Sequence, residues 1–351
     1  MMNYLDFLKE VRHPGKGDKD IVELGMVKDL KSEGGKVSVT LMFPKRRDPL
    51  TEYLVGSVRA CIIRHNPKAE VEVKTEICED APAKKKPQDL DNSGLEKVGH
   101  IIGIASGKGG VGKSTVAVNL AAALSRLGFK VGLADADVYG PSIPTMTGTE
   151  GVVPSAFRDE EGKEWIVPIE KFGIKWMSIG YFAEQGQALI WRGPMACNAL
   201  KQMIQQVCWG ELDFLLIDMP PGTGDIHISL LQDIPMDGAV IVTTPQTVAL
   251  ADVEKGVDMF RNKNISRPIY GLVENMAWFT PAELPDNKYF IFGKNGGAEM
   301  AGRLGIDLLG QIPLVQGIRE SGDNGEPVAF GTGPDSTAFI ELASKLTEKL
   351  K

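Results

Sequence analysis

Apolar positions recur along this chain in two different rhythms. In the first 80 residues they are sparse. Leu5, Leu8 and Val11 fall at helical spacing, Lys36-Val-Ser-Val-Thr-Leu-Met alternates as a half-buried strand does, and a helix is expected around Leu50 to His65. Val71-Glu-Val-Lys then reads as a last strand. From residue 98 onward the apolar runs become continuous: Ile101-Ile-Gly-Ile-Ala, Val131-Gly-Leu-Ala, Phe214-Leu-Leu-Ile, Ala239-Val-Ile-Val and Ile269-Tyr-Gly-Leu-Val. Short β-branched runs of this kind are strands buried on both faces, and the helical stretches between them predict right-handed β-α-β crossovers. The expected fold is α/β, a mostly parallel sheet covered by helices on both faces, preceded by a small α+β domain. Residues 79–97, EDAPAKKKPQDLDNSGLEK, carry Pro, Lys and Asp and almost no large apolar side chains, which is the composition of a tether. The expected division is a small domain over 1–80, a linker over 81–97 and a large domain over 98–351.

Composition narrows the function classes. With 43% hydrophobic and 24% charged residues in 351, the chain can bury a substantial core, which excludes disorder as its main state. No apolar run approaches the roughly 18 residues needed to span a bilayer, and the segment MMNYLDFLKE lacks a basic-then-apolar signal pattern. A cytoplasmic protein with no membrane partner is expected. A net charge of -7 disfavours a nucleic-acid partner, since phosphate neutralisation needs clustered Lys and Arg. Cys61, Cys78, Cys197 and Cys208 are too few and scattered for a disulfide framework, so reduced thiols are expected.

The sharpest chemical signal is GKGGVGKST at 107–115, between an apolar strand and an apolar helix, which satisfies G-x-x-x-x-G-K-[ST]. Gly107, Gly109, Gly110 and Gly112 let the backbone N–H groups of this loop, those of Lys108 and Val111 included, approach phosphate oxygens without Cβ clashes. The helix amino terminus adds positive potential. Lys113 is expected on the β- and γ-phosphates, Ser114 on Mg²⁺ and Thr115 on a further phosphate oxygen. Two carboxylate signals follow. The run ending in Asp135-Ala-Asp137 places Asp137 to orient an attacking water, with Asp135 setting the geometry of its loop. Leu212-Asp-Phe-Leu-Leu-Ile-Asp218, followed by Met-Pro-Pro-Gly-Thr-Gly-Asp, reads as a Walker B strand with Asp218 acting on Mg²⁺ through coordinated water, and the Pro221-Gly222 turn is placed to sense the γ-phosphate. Asn275, after another apolar strand, carries an amide able to donate to and accept from an adenine edge, although a plain loop asparagine reads the same way.

KGGVGKS, with its additional Lys108, resembles the deviant Walker A motif of the nucleotide-switch ATPases that include MinD, ParA, the nitrogenase iron protein and Mrp/ApbC. DADVYGPSIP at 135–144, RGPM at 192–195, DMPPGTGD at 218–225, TTPQTVALADVEKG at 243–256 and IFGKNGG at 291–297 are similar to the Mrp/ApbC iron-sulfur carrier branch. The stretch around Asp20-Ile-Val-Glu-Leu-Gly-Met-Val resembles the small SufT-like domain often fused ahead of this ATPase. The resemblance implies a P-loop ATPase of slow, regulatory turnover that works as a homodimer, with Lys108 reaching the partner's nucleotide. It implies ATP and Mg²⁺ as cofactors, with Asn275 at the adenine and Pro313, in Gln311-Ile-Pro-Leu, in the loop closing over the base. Iron-sulfur cluster transfer to acceptor apoproteins is the implied role. The chain departs from that family in its thiols. Asn275-Met-Ala-Trp-Phe-Thr-Pro stands where a C-x-x-C is the pattern, Asp48-Pro-Leu replaces Cys-Pro-Leu, and His13-Pro-Gly replaces Asp-Pro-Glu.

The iron-sulfur ligands are therefore open. Cys197 and Cys208 are expected on one helix over about 195–208, eleven residues and about 16 Å apart, too far for one small cluster. Cys61 and Cys78 read as structural thiols, and Glu283 and Asp286 are oxygen donors near the missing C-x-x-C. Two rival roles stay in view. One is a cluster-free adaptor. The other is a MinD/ParA-like positioning ATPase, for which Phe339, Leu342, Leu346 and Leu350 at helical spacing provide the support.

Overall fold

A computed structural model describes residues 4–14, 19–33, 35–43, 50–77, 92–182, 193–263, 265–281, 283, 284 and 286–351. Two compact units emerge, Met1–Asp89 and Leu90–Lys351. Most of the expected linker, Cys78, Asp48, Gly15 and Arg192 lie outside the described residues.

The smaller unit runs α1 (Tyr4–Leu8), β1 (Val27–Glu33), β2 (Lys36–Phe43), α2 (Thr51–His65) and β3 (Glu70–Ile77). β1 and β2 pair antiparallel, β2 and β3 pair parallel through the α2 crossover, and the sheet order is β1-β2-β3. Val37, Val39, Leu41 and Phe43 form a core with Leu54, Val58 and Ile62 of α2 and with Leu8. β1 was not expected as a strand. Its sequence VKDLKSE shows an edge strand's polarity, with only Val27 and Leu30 packed against the core.

The larger unit begins with β4 (Val98–Ser106), α3 (Lys113–Arg126), β5 (Val131–Asp135) and α4 (Ile143–Met146). A peripheral stretch follows, with β6 (Ala156–Arg158), β7 (Glu164–Ile166), β8 (Ile169–Lys171), β9 (Ile174–Ser178) and α5 (Gly193–Gln205). The chain continues through β10 (Leu212–Asp218), α6 (Asp225–Asp233), β11 (Gly238–Thr243), α7 (Thr247–Arg261), β12 (Ile269–Glu274), α8 (Gly296–Leu304), β13 (Leu308–Gln311), α9 (Gln316–Asp323) and α10 (Pro334–Lys349). The main sheet has the order β13-β12-β11-β4-β10-β5-β9-β8. All neighbouring pairs are parallel except β8 with β9. β6 and β7 form a separate hairpin.

Apolar side chains from both faces of the strands divide into two cores. One gathers Leu200, Met203 and Ile204 of α5, Leu230 of α6 and Val253 and Val257 of α7. The other gathers the apolar residues of α3 with Phe339, Leu342 and Leu346 of α10. Those three α10 residues are buried, so the apolar stripe at the end of the chain covers α3, and the support it lent a positioning role is gone. No described helix is long and apolar enough to cross a membrane.

β4 sits centrally, with β10 and β5 to one side and β11 to the other, so the chain reverses its winding direction there. In an open parallel sheet, that switch point puts a crevice at the carboxyl ends of the strands. The loop leaving β4 is GKGGVGK.

Candidate functional site: a phosphate loop and a cleft at the strand ends

Three neighbouring strands deliver the chemistry to this crevice. β4 ends at Ser106 and leads into the loop, β10 ends at Asp218 and β5 ends at Asp135. Asp218 is paired in register with both Ile104 and Asp135, so parallel pairing alone brings the two carboxylates and the loop together.

Close packing shapes the loop itself. Gly112 has φ +79, a left-handed conformation, and a Cβ there would lie 2.3 Å from the Asn275 amide nitrogen. A Cβ on Gly107 would lie 2.3 Å from the backbone oxygen of Asp252 on α7, so only glycine allows loop and helix to approach this closely. The Ser106 hydroxyl donates to the Lys108 carbonyl at 2.9 Å, and the Gly222 amide donates to the Ser106 carbonyl at 3.1 Å, tying the turn after β10 to the loop.

Lys113, the first residue of α3, is 6% exposed and its ammonium donates to Asp218 Oδ1 at 2.5 Å. Asp137 Oδ2 stands 3.9 Å from the same nitrogen, and the Ser114 hydroxyl accepts from it at 3.4 Å. Asp218 is fully buried, and its second oxygen has no hydrogen-bond partner among the described residues. Burial pushes the Asp218 carboxyl up from its ordinary range, and the Lys113 ammonium pulls it back.

Asp135 is also fully buried. Its Oδ2 accepts from the Ser178 hydroxyl at 2.9 Å and the Ile143 amide at 3.4 Å, while Oδ1 accepts from the Asp137 amide at 3.1 Å. Asp137 in turn accepts from the Tyr139 amide at 3.3 Å. These bonds pin the loop that carries Asp137. Burial, and then repulsion from Asp218, push the Asp135 carboxyl up to about 7. Both buried carboxyls are thus pushed above the ordinary carboxylate range, and of the two it is Asp218 that touches the ammonium.

A pH dependence follows. A carboxyl with a raised folded-state pKa binds a proton in the folded chain that the unfolded chain releases above about 4, so its contribution to stability falls as pH rises from about 4 to about 7 and is level above that. Asp135→Asn should remove this slope. Denaturant unfolding of both proteins between pH 5 and pH 8 checks it, followed by tryptophan fluorescence, since Trp165, Trp176, Trp191, Trp209 and Trp278 all lie in the larger unit. Parallel stability profiles for the two proteins would overturn the assignment.

Two cavities open along the strand ends. One of about 230 Å³ is lined by Lys108, Gly109, Gly110, Gly112, Lys113, Ser114, Thr115, Asp137 and Pro221. The other, about 410 Å³, includes Asn275, Met276, Pro313 and Val118 in its lining. Thr115, Ser142 and Met146 line both, so they form one cleft running from the phosphate loop to Asn275 and Pro313. Asn275 is buried, and its amide donates to the Val111 carbonyl at 2.8 Å, against the loop itself. Met276 follows at φ 55, a left-handed conformation unusual for a side chain of this size.

Three residues that the sequence did not signal hold this geometry. Buried Glu274 accepts from the Gly297 and Ala298 amides at the start of α8 and from the Gln311 amide at 3.1 Å, joining the IFGKNGG stretch to the strand ends on either side of Asn275. His227 is buried in α6 with its ring nitrogen 2.7 Å from the Pro220 carbonyl, bracing the turn after Asp218, and burial pushes its pKa down. Ser178, from β9, was equally invisible. A glutamate capping a helix 22 residues on, or a histidine bracing a turn, leaves no local pattern to read.

The cysteines depart from expectation. α5 ends at Gln205, and Cys208 lies beyond it, exposed, with its amide donating to the Ile166 carbonyl at 2.8 Å, while Cys197 is half-buried on the helix. Pairing with the 164–166 hairpin overrides helix continuation. Cys61 is buried on α2, as expected. Where the C-x-x-C is missing, Trp278 stacks under the Lys288 ammonium at 3.8 Å and Phe279 bridges Tyr289 and Leu314. Glu283 and Asp286 join no group of three potential metal ligands among the described residues.

Comparison with known proteins agrees with the two units. The model of the NUBPL iron-transfer P-loop NTPase family matches residues 97–350, and that of the iron-sulfur cluster assembly protein family matches residues 5–74. The chain is 43% identical over 349 residues to the iron-sulfur cluster carrier protein of Synechocystis sp., covering 99% of this chain and 96% of that one. To the iron-sulfur cluster transfer protein NUBPL of Mus musculus it is 43% identical over 282 residues, 79% of this chain and 84% of that one. A solved nucleotide-binding protein from Archaeoglobus fulgidus in complex with ADP is 35% identical with a TM-score of 0.60, over 72% of this chain and 96% of that one. The Pyrococcus furiosus cell division ATPase MinD is 25% identical with a TM-score of 0.53, over 72% of this chain and all of that one. Family match, fold and phosphate loop agree, and the chain belongs to the NUBPL iron-transfer P-loop NTPase family, with an iron-sulfur cluster assembly unit ahead of it.

Proposed function

We propose that this protein is an ATP-hydrolysing homodimeric switch that carries iron-sulfur clusters to acceptor apoproteins. The observation that carries the reading is the continuous cleft from Lys113 to Asn275 and Pro313 in a chain of an iron-transfer family. A nucleoside triphosphate would lie there with its phosphates against the loop and its base beside Asn275. The relative solved with ADP supports adenine.

In this reading the loop amides and Lys113 bind the β- and γ-phosphates, Thr115 contacts a phosphate oxygen, and Asp137 orients the attacking water. Mg²⁺ fits the residues present. Ser114 and Asp218 offer the oxygen donors this hard cation takes, Asp218 through water, and Asp218 has an oxygen to spare. When bound, the ion neutralises charge on the phosphoryl oxygens. Lys108 lines the phosphate cavity from a half-buried position, where it can serve a nucleotide shared across the dimer. A phosphate at Lys113 competes with Asp218 for the three donors of the ammonium, so nucleotide binding rearranges the buried charges at the ends of β5 and β10. That rearrangement is the switch, and the cluster is its cargo.

The test is anaerobic reconstitution with iron and sulfide in the presence and absence of ATP, reading visible absorption and iron per dimer, with Cys197→Ser and Cys208→Ser proteins alongside. The expected result is stoichiometric cluster, lost in one of the two variants and passed to an acceptor apoprotein. Absence of cluster in a protein that binds ATP and dimerises would overturn the carrier role in favour of a cluster-free adaptor, the reading the missing C-x-x-C favours.

A further inference from the structure

The smaller unit holds a cluster of side chains that the nucleotide chemistry does not use. Cys61 and His65 stand one helical turn apart on α2, so both side chains emerge on one face. Glu10 approaches that face from the turn after α1. The Cys61 sulfur, a His65 ring nitrogen and a Glu10 carboxylate oxygen all lie within 4.8 Å of one another.

Each of the three is held in place by its surroundings. The Phe7 carbonyl accepts from the Glu10 amide at 3.0 Å and from the Cys61 thiol at 3.1 Å, so one oxygen fixes both. The Phe7 ring stacks on the His65 imidazole with centroids 4.1 Å apart and an interplanar angle of 7°, which sets the ring's orientation. His65 Nε2 faces Glu10 Oε1 at 2.9 Å, and Arg64 Nη1 stands 3.6 Å from the other Glu10 oxygen. Glu10 is exposed, His65 is half-buried and Cys61 is buried, so the group runs from the surface inward to the sulfur.

We propose that Glu10, Cys61 and His65 bind a divalent transition metal ion of the Zn²⁺, Fe²⁺ or Co²⁺ type. Bonds of about 2.0–2.3 Å to tetrahedral ligands place those ligands about 3.3–3.8 Å apart, which this group reaches when the His65–Glu10 pair opens by about half an ångström and the separations to the sulfur, within 4.8 Å, close by at most about 1 Å. One thiolate, one imidazole and one carboxylate suit borderline ions and disfavour Mg²⁺ or Ca²⁺. Three protein ligands leave a fourth position to solvent, the arrangement of an exchangeable site rather than a closed structural one. On binding, the Cys61 thiol releases its proton to solvent as the sulfur–metal bond forms, and a neutral His65 coordinates through Nε2 with its own proton on Nδ1. A unit of this size has a small core, and an ion held by Glu10, Cys61 and His65 adds a cross-link between α2 and the turn after α1. The proposal is independent of what the nucleotide cleft carries.

Co²⁺ alone, added anaerobically to the reduced, nucleotide-free full chain, is the probe. Oxygen ligands at the phosphate loop give no sulfur-to-metal charge-transfer band, so that band reports thiolate ligation only. We expect one Co²⁺ per chain with this band, displaced by Zn²⁺, present in Cys78→Ser, Cys197→Ser and Cys208→Ser proteins and absent from Cys61→Ser. His65→Gln and Glu10→Gln, at partly exposed positions, keep the thiol and should weaken Co²⁺ by more than the about 10- to 100-fold typical of losing an outer-shell partner. The proposal is overturned by no band at saturating Co²⁺, by a band that survives Cys61→Ser, or by unchanged affinity in both His65→Gln and Glu10→Gln.

Discussion

Lys113→Met should destroy nucleotide binding and, before any nucleotide is added, destabilise the larger unit. The binding loss follows from two charge-assisted contacts to phosphate, each worth about 1.5–3 kcal/mol, which together give a loss of about 10²- to 10⁴-fold in affinity. The stability loss follows from the geometry of the pair. Lys113 and Asp218 are a buried pair at 2.5 Å, and removing one partner of such a pair typically costs about 3–5 kcal/mol because a charge is left without compensation. The effect has a pH signature. Without the ammonium, Asp218 has burial and the Asp137 charge pushing its pKa up and no lysine opposing them, so the folded chain holds a proton there that the unfolded chain releases. The variant should therefore lose most stability at pH 8 and recover part of it towards pH 5. Adding Asp218→Asn to the variant should restore stability at pH 8 without restoring nucleotide binding. Chemical denaturation at both pH values, with nucleotide titration on the same samples, separates the two effects. A variant as stable as the parent at pH 8 would show that the buried pair contributes nothing, and full ATP affinity would remove Lys113 from the phosphate site.

That dual role of Lys113 was only half legible in the sequence. Spacing placed the lysine at a phosphate loop, and continuous apolar runs located β4, β5, β10, β11 and β12, because a strand buried on both faces must be apolar throughout. Sequence spacing does not give register, and it is register that sets Asp218 beside Asp135 and makes one buried site of two separate motifs. In the main sheet, the unexpected strands β8, β9 and β13 are short or carry lysines, and β9, next to the edge strand, holds half-buried Lys175 among buried neighbours. The resemblance drew Asn275 and Pro313 to the same cleft as the loop, and both line it. The Asn275 amide is engaged by the Val111 carbonyl, a contact that no periodicity encodes. The metal-ligand group of the smaller unit was hidden for the same reason. Cys61 and His65 are four apart on a visible helix, but Glu10 reaches them only through the packing of α1 on α2.

Asp137→Asn should spare ATP binding and slow hydrolysis by about 10²- to 10⁴-fold, the usual contribution of a positioned group that handles the proton of a nucleophile. The substitution is nearly isosteric and keeps an oxygen to accept from the Tyr139 amide, while its own backbone amide still donates to Asp135, so the loop after β5 should hold its shape. What changes is charge. Asp137 lines the phosphate cavity with Oδ2 3.9 Å from Lys113, where a carboxylate orients a water towards a γ-phosphate and an amide does so poorly. Removing a negative charge beside the phosphates also lowers repulsion, so ATP affinity should stay level or rise. Single-turnover hydrolysis by protein saturated with ATP, at concentrations where it is dimeric, isolates the chemical step from binding and assembly. Asp135→Asn is the informative contrast. Its carboxyl is fully buried behind the loop and acts by holding Asp137 in place, so its loss should slow turnover less than loss of the Asp137 charge. Hydrolysis by Asp137→Asn within threefold of the parent would remove Asp137 from the chemistry, and the search for the water-orienting group would pass to the backbone of the Pro221-Gly222 turn.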